Sequence, residues 1–182
     1  KSNFKYGFKL LKNLVLTGMM GVGKTSIGRN LAKKLNFTFV DIDKIIEDEE
    51  GSSINAIFKN KSERYFRALE NKITLREMNA NKKVISLGGG AFLSPSIRQK
   101  TEKTSISFWL DVPTKILIKR LRKSIKRPLL FKKKLSETIN QIYIEREKTY
   151  CEADYRIRCG SLKKEIIARK IIKLYESSKI KV

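Results

Sequence analysis

Gly18-Met19-Met20-Gly21-Val22-Gly23-Lys24-Thr25 fits the pattern G-x-x-x-x-G-K-[ST], which is the spacing of a phosphate-binding loop. Three glycines let the backbone turn tightly and bring its N–H groups against phosphate oxygens. Lys24 can reach the outer phosphates of a nucleotide, and the Thr25 hydroxyl can ligate Mg²⁺. The surroundings suit the motif. Leu14-Val15-Leu16, ending in Thr17, is an apolar run of buried-strand type. Ile27, Leu31 and Leu35 recur at helical spacing, so a helix opens near Lys24 with its N-terminus facing the anion.

Other residues along the chain are of chemical interest. Phe37-Thr38-Phe39-Val40 reads as a second strand ending in Asp41-Ile42-Asp43. Carboxylates at i and i+2 of an extended segment point the same way. At the carboxyl end of a strand in an open α/β sheet they enter the ligand crevice. One can address Mg²⁺ and the other a substrate hydroxyl. The alternative is a polar strand end, or a cap for a helix over Lys44–Glu50. Arg67 and Glu70 lie at i, i+3 of an expected helix from Glu63 to about Met78. They form either an ordinary surface ion pair or a carboxylate-binding arginine steadied by its neighbour. Gly88-Gly89-Gly90 follows the strand-like Val84-Ile85-Ser86-Leu87, which implies close backbone approach to a ligand or a flexible turn. Arg122 to Lys134 is dense in Lys and Arg around Arg127-Pro128-Leu129-Leu130. It reads as a basic flap that closes over phosphates, or as a solvated charge run.

The remaining elements position these residues. Gly51 stops the helix after Asp43, Ser52 or Ser53 caps a short helix, and Ser62 caps the longer one. Ser94-Pro95 opens a short helix. Ile106 to Leu110 is a fourth strand, and Asp111-Val112-Pro113 starts a helix carrying Ile116, Leu117 and Leu121. Ser136 caps another helix, with Ile139, Ile142 and Arg146. Tyr155-Arg156-Ile157-Arg158 is a weak fifth strand, and Leu162 to Tyr175 an amphipathic helix. The expected order is β-α-β-α-α-β-α-β-α-α-β-α, a parallel sheet with helices on both faces.

Composition narrows the chemistry. With 182 residues the chain is long enough for one domain with a substantial core. It contains no histidine, which excludes a Ser-His-Asp triad, a histidine general base and a histidine zinc site. Proton transfer must fall to a carboxylate, a lysine or a tyrosine. Cys151 and Cys159 form no C-x-x-C pair, which fits a reducing compartment and a cytoplasmic location. The basic stretch Lys1 to Lys12 has no apolar h-region, so no secretory signal is expected; the missing initiator Met suggests a trimmed start. No apolar run is long enough to span a bilayer. The net charge of +23 attracts polyanions. It is spread along the chain, as a solvated surface would be, and forms no aromatic-interleaved stripe.

Taken together, the residues resemble the shikimate kinase family. The features are Gly18–Thr25, Asp41-Ile42-Asp43, Glu63-x-x-Phe66-Arg67-x-x-Glu70 and Leu87-Gly88-Gly89-Gly90. To these add Arg120 seven before Arg127-Pro128-Leu129-Leu130, and Arg146-x-x-x-Tyr150 followed by Ala153-Asp154. The phosphate loop alone would fit many NTPases, whereas the joint order and spacing are specific.

The resemblance implies ATP-dependent phosphorylation of the shikimate 3-hydroxyl, on the route to chorismate and the aromatic amino acids. It implies a P-loop α/β/α fold with a five-stranded parallel sheet in the order 2-3-1-4-5. The whole chain, 1–182, would be one domain, with a substrate-binding insertion at about 41–78 and a lid at about 121–135. By position, Asp43, Arg67, Gly88, Gly89, Gly90 and Arg146 would hold shikimate. Arg67 and Arg146 would grip its carboxylate, with Glu70 orienting Arg67. Gly21, Val22, Gly23, Lys24, Thr25 and Ser26 would hold the nucleotide, with Arg120 along adenine and Arg127 reaching the phosphates. Lys24, Asp43 and Arg127 would carry the catalysis. Thr25 would ligate Mg²⁺, with Asp41 behind a metal-bound water. The expected partner is a small molecule, with no specific nucleic acid, no membrane and a monomeric chain. Three departures stand out: Lys61-Ser62-Glu63 lacks the usual glycine, Thr25 replaces the commoner Ser, and the chain is unusually basic. The rival readings are another small-molecule kinase of this fold, acting on gluconate or nucleoside monophosphates, and a nucleic-acid-binding P-loop protein. A regulatory GTPase ranks last, because no N-K-x-D pattern occurs in the chain.

Overall fold

The computed structural model describes residues 11–122 and 135–178. Arg127 and nearly all of the lid expected at 121–135 lie outside those residues. The sheet has five parallel strands in the order β2-β3-β1-β4-β5. They are β1 (Asn13–Thr17), β2 (Thr38–Asp41), β3 (Lys83–Ser86), β4 (Ser105–Asp111) and β5 (Tyr155–Arg158). Strand order reverses at β1, which pairs with β3 on one side and β4 on the other. The crevice outside the carboxyl ends of these strands is where such sheets bind ligands.

Every residue of β1 and of β4 is buried. Strands covered on both faces read as continuous apolar runs, as Leu14-Val15-Leu16 does. Asn13 is one of the polar residues in these strands, and it is fully buried. Its Nδ2 donates to the Ala80 carbonyl at 2.6 Å and its Oδ1 accepts from the Lys83 amide at 2.9 Å. One side chain thus stitches the central strand to the turn that launches β3. Asn13→Ala strands both backbone groups, at about 1–3 kcal/mol. Urea unfolding is expected to show a lower midpoint at unchanged slope, and an unaltered midpoint would remove Asn13 from that role.

The helices are α1 (Lys24–Leu35), α2 (Ile42–Glu50), α3 (Ile54–Asn60), α4 (Glu63–Glu77), α5 (Pro95–Thr104), α6 (Thr114–Arg122), α7 (Leu135–Tyr150) and α8 (Lys164–Ser178). Several ends follow local chemistry. Helix α1 stops at Asn36 in the left-handed region, and α2 at Gly51 with φ 58. Ser53 accepts from the Ala56 amide and Ser62 from the Tyr65 amide, each capping its helix.

The structure departs from expectation in four places. Three helices separate β2 from β3, each with one end marked in the sequence, whereas the expected element order counts two. Ala91–Leu93 forms a 3₁₀ turn that has no signal in the sequence. Ser136 lies inside α7 and is not its cap. The fourth concerns Asp43, which does not end a strand. Strand β2 stops at Asp41 and α2 begins at Ile42 without a loop, so Asp43 sits in the first turn of a helix. Ile42 and Ile46, four apart and both fully buried, anchor that turn from its first residue.

Candidate functional site

The phosphate loop needs its glycines for backbone reasons. Gly18, Gly21 and Gly23 take φ values of 132, 78 and 101, which side-chain-bearing residues rarely adopt. Gly18 also lies tight on β4: a Cβ there would stand 2.6 Å from the Leu110 carbonyl oxygen. The loop wraps its own lysine, with Lys24 Nζ donating to the carbonyls of Gly18 at 2.7 Å and Met19 at 3.0 Å. Arg120 Nη1 donates to the Gly21 and Val22 carbonyls, both at 3.3 Å. Val22 is buried, whereas Ser26 is exposed in the first turn of α1.

Thr25 and Asp41 meet, the Thr25 hydroxyl donating to Asp41 Oδ2 at 2.7 Å. Among the described residues no cluster of three or more His, Cys, Asp or Glu could cage a metal. A hydroxyl backed by one carboxylate nevertheless suits Mg²⁺, which keeps several waters and takes its other ligands from substrate phosphates. The donor set fits that ion.

The second half of the site is built around Gly88-Gly89-Gly90. None of these three is in the left-handed region, so space and not backbone conformation requires glycine here. A Cβ on Gly88 would lie 2.4 Å from Glu70 Oε1 and 2.7 Å from Asp43 Oδ1. On Gly90 it would lie 2.6 Å from Arg67 Nη1. On Gly89 it would lie 3.5 Å from Arg146 Nη1 and equally far from the Met20 amide nitrogen of the phosphate loop. Asp43 from α2, Arg67 and Glu70 from α4, and Arg146 from α7 therefore converge on one loop beside the phosphate loop.

Arg67 Nη1 donates to Glu70 Oε2 at 2.7 Å, and Arg67 Nη2 to Glu63 Oε1 at 3.2 Å. The Glu70 side chain is 3% exposed and that of Arg67 35%, so the pair is more than a surface contact: the arginine emerges from a buried anchor. Glu70 Oε1 has no hydrogen-bond partner among the described residues. Burial pushes the Glu70 carboxyl up and the facing Asp43 adds to this, while Arg67 and Arg146 oppose it. For Arg67, burial works against the charge, but Glu70 and Glu63 prevail and hold its pKa above the ordinary value.

Arg146 Nη1 donates to the Gly89 carbonyl at 2.8 Å. Sequence reasoning gave no role to Tyr150, whose hydroxyl donates to the same oxygen. It also missed Asp111 at the end of β4. Asp111 Oδ2 accepts from Arg156 Nη2 at 2.9 Å, and its Oδ1 from the Tyr143 hydroxyl at 3.1 Å. The Arg156 guanidinium lies over the Trp109 ring, 4.2 Å from its centre. Trp109 in turn reaches the phosphate loop at Gly18, so this cluster braces the loop from below. The Tyr150 signal was present, as the i+4 partner of Arg146, whereas nothing local marks the Asp111–Arg156 pair.

The family profile described as shikimate kinase matches residues 20–176. A shikimate kinase from Persephonella marina is 40% identical over 81% of this chain and 88% of its own. One from Sulfurihydrogenibium sp. is 40% identical over 89% of this chain and 96% of its own. The solved structure of the shikimate kinase from Acinetobacter baumannii in complex with shikimate superposes with a TM-score of 0.88. It is 31% identical and covers 94% of this chain and 96% of that one.

Proposed function

The chain belongs to the shikimate kinase family and phosphorylates the 3-hydroxyl of shikimate with ATP, and from that premise we propose how its own residues divide the work. The observation that carries the assignment is the meeting of Asp43, Arg67, Glu70 and Arg146 at Gly88–Gly90, against the phosphate loop.

Arg67 and Arg146 grip the shikimate carboxylate, because a planar guanidinium fork matches a planar carboxylate. Glu70, buried behind Arg67, holds that fork in one orientation. Gly88–Gly90 let the substrate ring lie close to the backbone. Asp43 then faces the attacking hydroxyl and accepts its proton as the oxygen–phosphorus bond forms and ADP departs. Lys24 neutralises charge on the transferring phosphoryl group. Gly21, Val22, Gly23 and Ser26 hold the phosphates, and Arg120 lies along adenine. Thr25 would hold Mg²⁺, with Asp41 orienting its water. That ion supplies charge neutralisation on the outer phosphates. Arg127, outside the described residues, is assigned to the phosphates from its sequence motif.

We also propose that residues 1–182 act as one monomeric domain in the cytoplasm, with 41–78 as the substrate-binding insertion, 121–135 as the lid, and no nucleic-acid or membrane partner. The position of α2, α3 and α4 between β2 and β3 supports the insertion. Among the described residues no helix is long and apolar enough to cross a membrane.

Calorimetric titration of both ligands tests the two arginines. A hydrogen bond to a charged group contributes about 1.5–3 kcal/mol. Arg67→Ala and Arg146→Ala are each expected to weaken shikimate binding by about one to two decades while ATP binding hardly changes. Equal losses for both ligands would show that these residues are not substrate anchors.

A further inference from the structure

The phenol of Tyr150 is buried at the end of α7 and donates to the Gly89 carbonyl, the oxygen that also accepts from Arg146. A carbonyl oxygen has two lone pairs, and here two donors four residues apart on one helix face fill both. Arg146 has one planar fork to divide between that carbonyl and a substrate carboxylate. If the fork turns wholly to the substrate, it deserts the carbonyl. With Tyr150 in place the oxygen keeps a partner. Without it, the oxygen would be left bare in a low-dielectric setting, and would compete with the substrate for the arginine.

We propose that Tyr150 is a positioning residue for substrate binding, satisfying the Gly89 carbonyl so that Arg146 is released to the carboxylate of shikimate. This rests on the reading that Arg146 grips that carboxylate. The ring is fixed for the task, fully buried with its centre 5.8 Å from that of Trp109. Burial raises the phenol's pKa, against the opposing charge of Arg146, so it remains a donor at neutral pH. Gly89 also lies between Gly88, packed on Glu70 and Asp43, and Gly90, packed on Arg67. Holding its peptide in place therefore keeps the neighbouring contacts in register.

The test is steady-state ADP release by the full chain carrying Tyr150→Phe, which keeps the ring and removes only the hydroxyl. KM for shikimate is expected to rise roughly tenfold, with kcat and KM for ATP within about twofold of the parent. In the double variant Tyr150→Phe with Arg146→Ala, the added tyrosine change is expected to cost little beyond Arg146→Ala alone, because the two act on one oxygen. An unchanged KM for shikimate would overturn the proposal. So would a fall in melting temperature that moves both KM values together and adds fully to Arg146→Ala, since that is what loosened packing does. If Arg146→Ala itself leaves KM for shikimate untouched, the reading of Arg146 has failed and this proposal falls with it. If Arg146→Ala raises KM and Tyr150→Phe does not, only the role of Tyr150 has failed.

Discussion

Lys24→Ala is expected to lower turnover by about three orders of magnitude or more while the protein stays folded. In phosphoryl transfer the protein makes few covalent contributions, so positioning and charge supply most of the acceleration. In the proposed division of roles Lys24 provides both. Its ammonium is the motif's point charge for the outer phosphates, and its bonds to the Gly18 and Met19 carbonyls hold the loop closed around it. The stem is only half-buried, so the melting temperature is expected to change little. Initial-rate ADP release and thermal unfolding on the same preparation check this. A folded variant that keeps turnover within about tenfold of the parent would remove Lys24 from the reaction.

Asp43→Asn is expected to reduce turnover by about two to four decades with nearly unchanged ATP affinity. The chain has no histidine, so the hydroxyl's proton goes to a carboxylate or leaves late and unaided. The amide keeps the size and one acceptor of Asp43 but cannot take the proton. Asp41→Asn is expected to behave differently, because Asp41 is bonded to the Thr25 hydroxyl, at the proposed metal ligand. Its activity should recover as Mg²⁺ is raised. Turnover of both variants across one Mg²⁺ titration separates the roles. Rescue of Asp43→Asn by excess Mg²⁺, with Asp41→Asn unaffected, would mean that the two carboxylates had been exchanged.

Features that depend on a few neighbouring residues are legible in the amino-acid sequence. The phosphate loop, the strand and helix around it, and the helix ends at Asn36, Gly51, Ser53 and Ser62 are of this kind. Sheet order comes from the family resemblance, since periodicity cannot rank parallel strands. What the sequence hides depends on sequence-distant contact or on an abrupt boundary. The alternation of Asp41 and Asp43 is as compatible with a helix start as with a strand end, and only the burial of Ile42 and Ile46 decides between them. Three glycines announce a close approach but not to what. The close neighbours are the side chains of Asp43, Glu70 and Arg67, from helices that precede the loop in sequence. Asp111 and Arg156 pair across 45 residues, and neither has a local pattern that marks it.

The three-glycine loop also limits how this enzyme can diversify. Charged atoms stand against Gly88 and Gly90 closer than a methyl group tolerates, so a single substitution at either must displace Asp43, Glu70 or Arg67. With the substrate-binding roles proposed for these residues, each displacement damages the recognition that a new side chain would be meant to modify. The loop is thus closed to gradual change at these two positions, and acquiring a different acceptor through them would require paired substitutions on α2 or α4. Gly89 is less constrained, because a Cβ there would meet Arg146 Nη1 and the Met20 amide nitrogen only at ordinary contact distance. Directed evolution toward other hydroxy acids has its accessible single steps at Gly89 and at Glu63, the exposed partner of Arg67 on α4.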